Sequence, residues 1–169
     1  MTHGLEHHKR QTKSVTGCDR NARGRYPASR NLLRAFAHAG FVRWREHDTA
    51  RVIFLIADAP PHAQHMGRAM AAANGLRKKG VAIYPVACSG YDQACEFVMR
   101  SCALLTGSQF LFLTDDSGVG NAHAEPTIPY YQVERLERLM VRMIASELSG
   151  RHVLPQPADI VRTMGKKVN

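Results

Sequence analysis

The chain has 169 residues, 44% of them hydrophobic, which is enough for one domain with a real core. No segment approaches the roughly 18 uninterrupted apolar residues of a membrane span, and the opening MTHGLEHHKRQTK lacks the apolar stretch of a secretory signal, so the default compartment is the cytoplasm. The net charge of +9 is unevenly placed: residues 1–50 hold ten Lys/Arg against four Asp/Glu, residues 51–169 thirteen against ten.

Residues 1–29 show no hydrophobic periodicity and carry the turn formers Gly17, Gly24 and Pro27, which reads as a basic, disordered arm. Residues 30–39 look helical, with Leu32, Leu33 and Phe36 on one face and Gly40 as a stop. The next stretch, RVIFLIADAPPH, holds five apolar residues in a row from Val52 to Ile56. A short β-branched run closed by turn chemistry reads as a strand over 51–57 buried on both faces, and Pro60 and Pro61 then stop the ladder and can open a helix. Asp58 falls where that strand ends. In open parallel sheets ligands sit beyond the carboxyl ends of strands, which makes Asp58 a candidate site residue.

Residues 62–79 are alanine-rich and helical, with Met66, Ala69, Met70, Ala73 and Leu76 at a 3.6 period. The helix closes in Arg77-Lys78-Lys79-Gly80, cations at the negative dipole end followed by a glycine cap. VAIYPVA at 81–87 is a second apolar strand, weakened by Pro85. Ser89-Gly90 turns the chain into a helix over 91–105, whose stripe is Cys95, Val98, Cys102 and Leu105, ended by Gly107. A third strand is expected at 108–113, a long loop at 114–131, and a last helix at 132–148 that buries Val133, Leu136, Met140, Met143 and Ile144 before Gly150. Residues 151–169, with Pro155 and Pro157, read as a flexible tail.

The four cysteines (Cys18, Cys88, Cys95, Cys102) show neither a CxxC pair nor zinc spacing. Seven helical positions separate Cys95 from Cys102, a rise of about 10 Å against a disulfide reach of about 7 Å, so both read as small core residues. Alternating helices and strands at this spacing mean βαβ units, right-handed crossovers and a parallel sheet. The expected fold is therefore α/β, Rossmann-like and incomplete, with about three strands and four helices.

Taken together, RVIFLIADAPPH, VAIYPVACSG, LLTGSQFLFLTDDSG and VERLERLMVRMIASELSG resemble the C-terminal half of the von Willebrand factor A (VWA) family over residues 30–150. The resemblance implies a domain with a metal-ion-dependent adhesion site at the carboxyl edge of its sheet, where Asp58 would be one ligand of Mg²⁺ or Mn²⁺. The DxSxS loop that the family places after its first strand does not occur here; the closest string is Asp115-Asp116-Ser117. What the resemblance implies is thus a truncated VWA-type domain with weak or lost metal binding, whose missing first half could have carried an export signal. In the family's strand order 51–57 would be an exposed apolar edge, open to self-association unless residues 1–50 cover it.

Further candidates surround the same edge. His62 and His65 have HxxH spacing and, with Asp58, could share a metal in a small hydrolytic site. Asp115, Asp116, Asn121, His123 and Glu125 offer oxygen and nitrogen ligands in a loop long enough to be functional. Ser89 and Gly90 present backbone N–H groups at a helix start. The chain carries no GxSxG, P-loop or GxGxxG. The expectation is a non-enzymatic protein-interaction module with an unidentified protein partner, in which Asp58, His62, Asp115 and Asp116 hold any metal and Ser89, Gly90, Asn121, His123 and Glu125 meet the partner. One alternative is nucleic-acid association through Lys9, Arg10, Lys13, Arg20, Arg23 and Arg25. The other is the metal-assisted hydrolase.

Overall fold

A computed structural model of the protein describes residues 13–16, 31–57, 61–88, 91–117, 125–126 and 128–166. In chain order these form strand β1 (Lys13–Thr16), helix α1 (Asn31–Phe41), β2 (Arg51–Ala57), α2 (Ala63–Lys78), β3 (Val81–Ala87), α3 (Gln93–Thr106) and β4 (Leu111–Phe112). A 3-10 turn at Asp115–Ser117 follows, then β5 (Tyr131–Glu134), α4 (Leu136–Ser149), a second 3-10 turn at Pro157–Asp159, and β6 (Ile160–Met164). Strands β1 to β4 make one parallel sheet in sequential order, while β5 and β6 pair antiparallel as a separate ribbon.

The side-chain alternation of a strand sorts the central sheet into two faces. Ile53, Leu55, Val81 and Ile83 point to one side, where they pack with Leu32 and Phe36 of α1, Ala69, Ala73 and Leu76 of α2, and Val98 and Cys102 of α3. Val52, Phe54, Ala82, Tyr84 and Val86 point to the other, where Met143 of α4 is buried against them with Leu136, Leu139, Met140 and Ile144 alongside. Sequential strands with their connecting helices on one face are what successive crossovers of one hand produce. The expected Rossmann-like α/β architecture with four helices is present.

Pro85 sits at a central position of β3 without breaking it. Ile83 N–H donates to Thr106 Oγ1 at 3.0 Å, and Ala87 C=O accepts from Leu113 N–H at 3.0 Å, so odd-numbered residues of β3 turn their polar groups toward the β4 side. Pro85 shares that side, and the registered pairing with β4 begins only at Val86↔Leu111. The missing N–H therefore subtracts nothing from the β2–β3 ladder, which runs unbroken from Arg51↔Val81 to Ala57↔Ala87.

Four expectations are corrected. Strand 51–57 is not an exposed edge available for self-association, because Lys13–Thr16 pairs with it in parallel from Lys13↔Ile53 to Thr16↔Ile56. Backbone pairing is largely indifferent to side chain, so a segment without hydrophobic patterning can satisfy the amides of an apolar strand. Disorder therefore does not hold for residues 13–16, while the rest of 1–29 lies outside the described residues. The start expected for the last helix is instead strand β5, with Val133 buried there. The tail expected to be flexible from residue 151 is structured through the 3-10 turn and β6 as far as residue 166.

Candidate binding surface at the carboxyl edge of the sheet

Parallel strands end together, and here their ends are stitched by single hydrogen bonds. Cys88 N–H donates to Ala57 C=O at 3.1 Å, and Leu113 N–H to Ala87 C=O. Beyond these ends stand His62, exposed just before α2, and the turn carrying Asp115 and Asp116, both exposed. Between β4 and that turn lies Thr114, only 4% exposed, whose Oγ1 is buried and has no hydrogen-bond partner. A hydroxyl left unsatisfied in this way costs about 1–3 kcal/mol, and such a group warrants a functional or structural reason.

The acidic turn is held by the C-terminal strand. Arg162 Nε lies 2.6 Å from Asp116 Oδ2, and its Nη2 donates to Glu125 Oε1 at 2.7 Å. The guanidinium also lies 5.9 Å from the centre of the Tyr131 ring, and the Tyr131 hydroxyl donates to Glu125 Oε2. Hydrogen bonds from Tyr131 and then from Arg162 hold the Glu125 carboxyl below the ordinary carboxylate range. The Tyr131 phenol is raised in turn, chiefly by its bond to that carboxylate. Arg162, Asp116 and Glu125 side chains are 30%, 41% and 44% exposed, so each ion pair is solvent-screened and individually modest.

Of the residues singled out from sequence, Asp58, Ser89, Gly90, Asn121, His123, Lys9, Arg10, Arg20, Arg23 and Arg25 lie outside the described residues. Lys13 belongs to β1. Asp116 and Glu125 are brought together, but by the chain's own Arg162. The His62 and His65 rings meet edge-on with centroids 6.2 Å apart; His65 Nδ1 is buried without a hydrogen-bond partner. No group of three or more His, Cys, Asp or Glu that could hold a metal ion occurs among the described residues. A divalent cation at the turn would have to displace a guanidinium already neutralising Asp116, so the described residues do not fit a Mg²⁺ or Mn²⁺ cage. Cys95 and Cys102 are buried in the core as expected, and burial pushes the Cys102 thiol up to about 12. No helix among the described residues is long and apolar enough to cross a membrane.

Arg162 and Tyr131 were not visible as site residues in the sequence. Glu125 and Arg162 are 37 positions apart, and only the β5–β6 pairing brings them together. The available signal was the β-branched run IVRTM, whose half-buried Ile160 and Arg162 alternate with exposed Val161 and Thr163. Compared with protein-family models, with curated proteins and with solved structures, the chain has no significant match.

Proposed function

We propose that the protein is a non-enzymatic protein-interaction module of the VWA type that meets its partner through the carboxyl-edge turns, with divalent metal contributing weakly or not at all. The observation that carries this reading is the buried, unpartnered Thr114 hydroxyl beside the exposed carboxylates of Asp115 and Asp116, at the end of a sheet where α/β domains place their ligands. The VWA resemblance of residues 30–150 supports the same edge. The absence of a nucleophile–base or phosphate-binding motif in the sequence argues against turnover there.

The test is a photo-crosslinking side chain placed at Asp115, with a control at exposed Ala37 on α1. In cells the reading expects a discrete protein adduct at position 115, absent at position 37 and unaffected by nuclease or by chelation of divalent metal. Equal adducts at both positions would remove the reading. Adducts abolished by nuclease would replace it with nucleic-acid association.

A further inference from the structure

Strand β6 is bound to the molecule in an unusual way. None of its five residues is buried, and Val161 and Met164 are 51% and 41% exposed. Its partner β5 buries Val133 and Glu134 and runs directly into α4. The two strands pair from Tyr131↔Met164 to Glu134↔Ile160, with an irregularity at Val133/Glu134, and Arg162 stands opposite Val133. Beyond β6, Gly165 has φ +74°, and a Cβ there would overlap the Pro129 carbonyl, so the strand's end lies directly on the backbone leading into β5. β6 is thus held by main-chain bonds and by Arg162 between Asp116, Glu125 and Tyr131, with little apolar burial of its own.

A two-stranded ribbon is marginal in water, and segments with few buried apolar contacts open locally well below the global unfolding free energy. A partner strand adding to a sheet edge uses the same two sources of affinity, main-chain bonds and a side-chain pocket. Here the pocket is two carboxylates and an aromatic face, which suits the planar, multiply donating guanidinium better than an ammonium. We propose that the β5 edge together with Asp116, Glu125 and Tyr131 is a receptor for an extended, arginine-bearing strand, and that β6 is its intramolecular occupant. The partner chemistry is that of β6 itself: an apolar residue two positions ahead of an arginine. The inference deepens the reading of the carboxyl edge as a binding surface and rests on it, because release of β6 is what frees Asp116 and Glu125.

The test uses the full-length Arg162→Ala chain and a labelled synthetic peptide of residues 157–166. Arg162→Ala is expected to speed amide exchange in β5 by about three- to tenfold, leaving β2 and β3 unchanged. The peptide should then bind saturably and restore β5 protection, a peptide carrying Arg162→Glu should not, and Asp116→Asn with Glu125→Gln in the receptor should weaken binding at least about fivefold. Unchanged β5 exchange, equal acceleration in β2 and β3, or peptide binding that ignores the arginine would each overturn the proposal. If the peptide fails while crosslinking at position 115 still captures a protein, the strand receptor falls and the wider binding-surface reading survives. If the peptide binds and crosslinking fails, β6 is an exchangeable strand but the edge meets no partner, and the reading falls together with the receptor built on it.

Discussion

Strands β2 and β3 share seven paired positions, and every residue of β3 is buried, whereas β6 buries none of its five and meets β5 through main chain and one arginine. The first pair draws on desolvation, which is non-directional and not subject to ionic screening; the second draws on surface hydrogen bonds and ion pairs, which are screened and pH-dependent. One molecule therefore joins a scaffold that tolerates only global unfolding to a ribbon built to open alone. A junction connects them: Arg142 of α4 lies 2.5 Å from Glu134 Oε2 and donates from Nη1 to Val153 C=O at 3.1 Å.

The largest expected effect lies in the scaffold. Ile83 is 0% exposed among side chains from β2, α2 and α3, so Ile83→Ala should lower stability by about 4 kcal/mol in denaturant titration. A loss below about 1 kcal/mol would mean the core is loosely packed and the contrast is overdrawn. Next comes the junction. Arg142→Ala strands the Glu134 carboxylate, whose side chain is 3% exposed, and should cost about 3 kcal/mol with β5 and α4 destabilised together. Tyr84 hydroxyl donates to Glu147 Oε1 at 2.7 Å and pins α4 to the sheet, so Tyr84→Phe should cost about 1 kcal/mol. Thermal melts that resolve 1 kcal/mol check it.

The smallest effect is the most discriminating. Glu125 titrates below its ordinary value of 4.5 in the folded chain. A depressed carboxylate contributes stability that is fully present above the unfolded value and is lost as pH falls through the native one. Protection of β5–β6 amides should therefore decline on acidification below pH 4.5, ahead of β2–β3, and the same amides should lose protection as salt rises. Parallel decline of both regions would erase the distinction.

How legible each region was follows from the same physics. Strands 51–57 and 81–87 were readable to the residue because continuous apolar runs bounded by turn formers are local signals. The helices were placed to within a few positions, and Gly107, read as a helix end, lies in the left-handed region, while the cap at Asp92, whose carboxylate accepts from Cys95 N–H at 2.7 Å, was not singled out. The ribbon was hidden because YQVE and IVRTM are short, half-exposed and dependent on each other across a helix. Strand β1 was hidden for a related reason: KSVT carries no hydrophobic pattern, and its pairing answers the amides of β2 rather than any feature of its own. Arg51 shows the same blindness on a smaller scale. It bounds a strand in the sequence, yet its guanidinium donates to the carbonyls of Arg45, Glu46 and Lys79 and ties three segments together.

Native-state hydrogen exchange across a denaturant series tests the central contrast most directly. The account predicts that β2 and β3 amides exchange only through the global unfolding transition, while β5 and β6 amides exchange through a local opening of lower free energy and shallow denaturant dependence. A single shared transition for all four strands would contradict it, making β6 an integral part of the fold and leaving no exchangeable strand at its edge.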